Sequence, residues 1–235
     1  MRIYWVDDMA MVEGRWTGPI WDTHLHLDIS GRGLAAAHDF ANAGGTHLCL
    51  VHKPGFPYKL PESLDAVKLA YIGTLDMADA VRREVGIDVR VILGPHPVVW
   101  EKQIHTLGME DATQLHIDSV SLALEHCAEG EAVALGEVGR PHYPVSGEIW
   151  DAANEQLETV MQMASQAGVP IQLHVEDNGA QTNMELAAIC DRSGLERSRA
   201  VHHYAPADVS AAFTHGLSSS VSMGKDSLTT LLETH

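Results

Sequence analysis

The sequence predicts an α/β fold, a TIM-type (β/α) barrel left incomplete at its C-terminal end. Three observations carry this. Short apolar runs alternate with helix-period segments along the whole chain, the pattern of a parallel sheet covered by helices. The first strand exits into His24-Leu25-His26, where an open doubly wound sheet would show a glycine-rich phosphate turn. Imidazole and carboxylate residues then recur at the ends of later strands. Gathering side chains from many strand ends at one face is how a barrel builds a site.

The elements follow in order. Residues 1–18 read as a polar lead-in, and Ile20 to Asp28 as the first strand. Leu34 to Ala43 is helical and stops at Gly44-Gly45, residues that end helices readily. Thr46 to Val51 is the second strand, leaving through His52-Lys53-Pro54-Gly55. Leu64, Val67, Tyr71, Leu75, Ala78, Val81 and Val85 recur at helical spacing, which marks a long amphipathic helix. Val89 to Leu93 is the third strand and runs into Gly94-Pro95-His96-Pro97. A third helix carries Ile117, Val120, Leu124 and Cys127 and ends at Gly130. Ala132 to Leu135 is the fourth strand, followed by Gly136-Glu137-Val138-Gly139. Trp150 to Ala164 is helical, and Val169 to His174 is the fifth strand. Thr182 to Ser193 is helical, and Ala200 to His203 is the sixth strand. A short helix over Ala207 to Thr214 precedes a seventh strand, Leu217 to Ser222, and Asp226 begins a last helix. No repeat or linker interrupts the 235 residues, so the whole chain, 1–235, reads as one domain of ordinary barrel size.

Composition narrows the class. Hydrophobic residues make up 45% of the chain, enough for a sizeable core. No apolar run approaches the ~20 residues of a membrane span, and the first residues lack a signal-peptide pattern. Cys49, Cys127 and Cys190 are widely spaced, which predicts reduced thiols and a cytoplasmic setting. A net charge of −17 opposes broad nucleic-acid binding. It leaves room for a small-molecule substrate, or for one nucleic-acid end held locally by metal.

Side chains two apart on a strand share a face. His24 and His26 therefore form a pair of imidazoles on one side of a buried run. Glu137 follows four apolar residues and lies between Gly136 and Gly139, where backbone must approach closely. His174 ends a buried strand. His202 and His203 point to opposite faces, and His203, nearer the strand end, is favoured. The set His24, His26, Glu137, His174 and His203 has the chemistry of a metal centre. Zinc is the favoured ion, with magnesium or manganese as alternatives.

Asp22-Thr23-His24-Leu25-His26-Leu27-Asp28, Gly94-Pro95-His96-Pro97, Gly136-Glu137-Val138-Gly139, Leu173-His174 and His203-Tyr204 resemble, in order and spacing, the motifs of TatD-type metal-dependent hydrolases of the amidohydrolase superfamily. The resemblance covers about residues 19 to 224. It implies two divalent ions, with His24 and His26 on one, Glu137 bridging, and His174 and His203 on the other. It implies that His96 lies in the substrate site and acts in catalysis with Glu137. It also implies hydrolysis by metal-activated water, favouring a phosphodiester substrate in the manner of a deoxyribonuclease. A small amide, ester or lactone is the alternative.

Two departures stand out. Arg140-Pro141-His142-Tyr143 replaces the family's Leu-Asp-Tyr, which marks a less characterised branch. Arg140 is expected either on a substrate phosphate or carboxylate or in an ion pair. The family's last strand ends in Glu-Thr-Asp, whose Asp binds metal and takes a proton from water. Here Leu231-Leu232-Glu233-Thr234-His235 comes too soon after Gly224, because a parallel crossover needs about a dozen residues or more. The eighth strand is therefore expected to be absent. That raises a third reading, a metal-binding protein without turnover.

Overall fold

The computed structural model describes residues 11–12, 15–53, 55, 59–224 and 226–234. Met1 to Asp8, Pro54 and His235, which the sequence reading used, lie outside the described residues. Seven parallel strands follow one another in space in chain order and form a curled half-barrel. They are β3 (Trp21–Leu25), β4 (His47–Val51), β5 (Asp88–Leu93), β6 (Ala134–Gly139), β7 (Ile171–His174), β8 (Ala200–His202) and β9 (Ser218–Ser219). Before them a small antiparallel ladder pairs β1 (Met11–Val12) with β2 (Arg15–Trp16), within the segment expected only as a polar lead-in.

Strand alternation sorts the side chains into two layers. Leu48, Leu50, Val91, Leu93, Leu135 and Leu173 face the helices and join the main core. Val51, Ile92 and Ala134, with Cys49 beside them, pack together on the inner side of the curl. The covering helices are α1 (Leu34–Asn42), α2 (Leu64–Glu84), α3 (Pro97–Leu107), α4 (Met109–Ala128), α5 (Gly147–Ala167), α6 (Ala180–Ser193), α7 (Ala211–Thr214) and α8 (Ser227–Thr234). Serine caps open two of the long ones. Ser63 Oγ accepts from the Ala66 amide at the start of α2, and Ser146 Oγ from the Ile149 amide at the start of α5, each satisfying an otherwise orphaned donor.

Several expected boundaries need correcting. One helix was expected between the third and fourth strands, and there are two. Pro97 sits in the first turn of α3, where its missing amide costs nothing. Gly108, at φ +83°, then separates α3 from α4. The fourth strand, expected over 132–135, runs from Ala134 to Gly139, so Glu137 lies within β6 and not after it. The first strand ends at Leu25, with a register shift against β4 between Asp22 and Leu25. The seventh is only Ser218–Ser219.

On its outer side β9 is unpaired, and so is β3 on the side away from β4, among the described residues. A cleft of about 360 Å³ lies between them, lined by Trp21, Thr23, His24, Phe40, His203 and Ser222. Residues 227–234 are helical, as the crossover count required, and do not fill the gap as a strand. No helix among the described residues is long and apolar enough to cross a membrane.

Candidate metal centre

Glu137 projects from β6 into the mouth of the half-barrel and is only 3% exposed. Its backbone is pinned by close approach. A Cβ on Gly139 would come within 2.1 Å of the His174 carbonyl oxygen, so only glycine lets β6 and β7 meet here. Around the carboxylate stand imidazoles from four other places in the sheet. His26 Nε2 lies 3.3 Å and His24 Nε2 3.7 Å from Oε2. His174 Nδ1 lies 2.9 Å and His203 Nε2 3.9 Å from Oε1. His96 Nε2 lies 3.9 Å from Oε2. The structure thus brings His24, His26, Glu137, His174, His203 and His96 together. His202 points the other way, and its Nδ1 meets Asn183 Oδ1 at 2.8 Å in the helix layer.

Hydrogen bonds fix which ring nitrogens carry protons. Gln172 donates its amide to the Thr23 carbonyl at 3.1 Å, which turns its oxygen toward His24. His24 Nδ1 must donate to that oxygen at 2.8 Å. His26 Nδ1 likewise must donate to the Val51 carbonyl at 3.0 Å. With both rings neutral, the two Nε2 atoms present lone pairs 3.1 Å apart beside a carboxylate; a proton on His26 Nε2 would instead donate to Glu137. Two facing lone pairs repel each other unless a cation or a proton sits between them. Tetrahedral ligands at ~2.0–2.1 Å from zinc lie roughly 3.3 Å from one another, so the donor set suits a divalent ion. Carbonyl groups holding the far nitrogens of ligating histidines are the usual support for such a site.

His96 differs. Its Nδ1 accepts from the Val98 amide at 3.1 Å, capping α3. The neutral ring then carries its proton on Nε2, the atom that faces Glu137, and so presents a donor there. Burial, together with His174 nearby, pushes the His96 pKa down to about 3, so the ring stays neutral. His203 is likewise pushed to about 3 by burial and the neighbouring His24, whose ring stacks on it at 3.4 Å. Burial also lowers His24. For His26 burial works downward, but the hydrogen bond and charge of Glu137 outweigh it and the pKa rises. Burial works upward on Glu137, yet His174, His26 and the other imidazoles hold it ionised, well below the usual carboxylate range.

Arg140 is not where a substrate contact was expected. It is 1% exposed. Its Nε and Nη2 donate to the two oxygens of Glu176 at 2.8 and 2.5 Å. Glu185 and Asn154 each accept at 2.8 Å, and the guanidinium lies 4.4 Å over the Trp150 ring. The ion-pair alternative therefore describes it, with helix-layer partners and not Glu137.

Two residues given no role by the sequence reading belong to the site. Gln172 orients His24; it stands two residues before His174 on one face of a buried strand, a placement the alternation makes visible. His142 Nδ1 lies 2.7 Å from His174 Nε2, but it sits in a loop, where no periodicity reveals facing. For Gln172→Leu we expect zinc affinity to fall roughly 10- to 100-fold, the usual effect of losing an orienting partner. Calorimetric titration with zinc checks this, and unchanged affinity would mean that His24 needs no such support.

A parallel half-barrel with a His/Glu cluster at its strand ends defines the class of metal-dependent hydrolase barrels. The chain belongs to the TatD related DNase family, whose model matches residues 21–228. An uncharacterized protein of Methanocaldococcus jannaschii is 30% identical over 189 residues, 79% of this chain and 65% of that protein. Thus the chain spans less than two thirds of that relative's length. The TatD-like protein of Archaeoglobus fulgidus superposes with a TM-score of 0.51 at 19% identity, over 79% of this chain and 68% of the other. YJJV, a TatD homolog from Escherichia coli, gives 0.52 at 21% identity, over 78% and 59%. At these identities the two structures bear on the fold alone.

Proposed function

We propose that this chain hydrolyses a phosphodiester, at a nucleic-acid end or in a small nucleotide, with two divalent ions, favoured to be zinc. The observation that carries this reading is that Nε2 of His24 and Nε2 of His26 face each other 3.1 Å apart beside the ionised Glu137. His24, His26 and Glu137 would hold one ion, and Glu137, His174 and His203 the other. When bound, such ions polarise the phosphoryl group and make water nucleophilic at neutral pH. The chain's own residues do the rest. Glu137 keeps its charge despite burial and would balance the charge of cations held there. His96, neutral and protonated on Nε2, is oriented to donate to a substrate oxygen that gains charge. Family membership supports hydrolysis, and the net charge of −17 favours a short substrate over long DNA. The free thiols of Cys49, Cys127 and Cys190 support a cytoplasmic setting.

The test is hydrolysis of bis(p-nitrophenyl) phosphate and of short oligonucleotides by metal-loaded protein, with chelation abolishing both. Cleavage of p-nitrophenyl acetate or a lactone alone would favour the small ester or lactone class instead. His96→Asn keeps a good helix cap but removes the ring. Metal content should stay at the wild-type level while kcat falls roughly 100-fold, the loss typical of one donor to a developing charge. Loss of metal in this variant would instead make His96 a ligand.

A further inference from the structure

We propose that a cavity beside the metal centre takes the uncharged heteroaromatic ring of the substrate, a nucleobase, with His116 hydrogen-bonding its polar edge. This rests on the nucleotide reading above. The cavity, about 430 Å³, lies among α2, α3 and α4 and is bounded by His96, the residue that also faces Glu137. Sites for small molecules commonly begin at about 300 Å³. Its walls are largely apolar, with Leu60, Pro61, Val67, Val99 and the Tyr71 ring among them.

His116 lines this space from α4 and is 3% exposed. It has no hydrogen-bond partner among the described residues, although buried polar groups are nearly always paired. Other polar groups in the wall are already engaged. The Tyr71 hydroxyl donates to the Ser119 carbonyl at 3.3 Å. The Ser119 hydroxyl donates to the Leu115 carbonyl at 2.6 Å. The Gln103 amide donates to the Pro61 carbonyl, and Lys53 is paired with Asp28. His116 is therefore a buried polar group of the wall whose ring is left unpaired among the described residues. Burial pushes its pKa down to about 3, so it offers one donor and one acceptor and no charge. One ring nitrogen can therefore pair with one polar atom on the edge of a flat heteroaromatic ring, as donor or as acceptor. A phosphate does not fit: of the two lysines in the wall, Lys53 is matched by Asp28 and Lys59 by Glu62.

The test uses the full, zinc-loaded chain and four uncharged nucleosides, adenosine, guanosine, cytidine and thymidine, titrated calorimetrically, with inorganic phosphate as the probe that lacks a ring. At least one nucleoside should bind. His116→Leu should weaken it tenfold or more while zinc loading and phosphate binding stay unchanged. Ala70→Phe fills the same cavity from α2 while keeping the His116 side chain, and it should also abolish nucleoside binding. The proposal is overturned if no nucleoside binds the wild type, or if both variants bind as tightly as it does. The two readings fail separately. Zinc-dependent cleavage of bis(p-nitrophenyl) phosphate without nucleoside binding sinks the cavity and leaves the hydrolase. Nucleoside binding lost in both variants, without such cleavage, does the reverse.

Discussion

Glu137→Gln is expected to cost more zinc affinity than any other single change, more than roughly 100-fold. Losing a partner that merely orients a ligand already costs 10- to 100-fold, and Glu137 is the carboxylate on which His24, His26, His96, His174 and His203 converge. The substitution keeps size and shape, so the fold should survive. It replaces a buried anion, held ionised by His174 and His26, with a neutral amide that neither balances a cation nor offers two equivalent oxygens. Stability gives a second readout. Zinc at 100 times its Kd should raise wild-type stability by about 2.7 kcal/mol, and that gain should vanish in the variant. Metal analysis of the purified protein and thermal unfolding with and without zinc check both. Full zinc loading of Glu137→Gln would mean that the histidines bind metal without it.

Arg140→Leu is expected to destabilise the fold by about 3 kcal/mol while leaving zinc affinity unchanged. Breaking a buried ion pair by removing one partner typically costs 3–5 kcal/mol. The lower end applies because Glu185, its side chain 39% exposed, can return to water. Glu176, with a side chain 12% exposed, cannot do so as fully. Arg140 also joins the end of β6 to the segment after β7 and to α5 and α6, so the loss should appear as global unfolding. Denaturant titration measures it. A variant as stable as wild type but with a raised KM would restore Arg140 to the substrate.

The contrast between these two residues shows what the sequence could and could not disclose. Glu137 was legible as a carboxylate after four apolar residues with glycines at 136 and 139, but its direction was not: alternation from Leu135 would turn it to the helices, and the irregularity between Gly136 and Val138 turns it into the mouth. His24 and His26 were legible from spacing of two. That only one of His202 and His203 faces the site followed from parity, since neighbours on a strand face opposite ways, and nearness to the strand end favoured His203. Arg140 stands one residue beyond β6, and nothing local says whether its long side chain turns to the mouth or back under α5 and α6. That depends on Glu176 and Glu185, 36 and 45 residues away. The helix from Pro97 was hidden because Gly94-Pro95-His96-Pro97 reads as a loop, although a proline followed by Val98, Val99 and Trp100 also suits a helix start. The cavity at His116 was invisible for the same reason as the Arg140 cluster. It is formed by three helices that meet only in the folded chain.

The central claim, that His24, His26 and Glu137 hold a divalent ion, is tested most directly by anomalous diffraction at the zinc absorption edge from zinc-soaked crystals. The expected result is a peak at ~2.0–2.2 Å from His24 Nε2, His26 Nε2 and a Glu137 oxygen. No peak there, with zinc instead at the separate His126, Glu129 and Glu131 cluster, would contradict it.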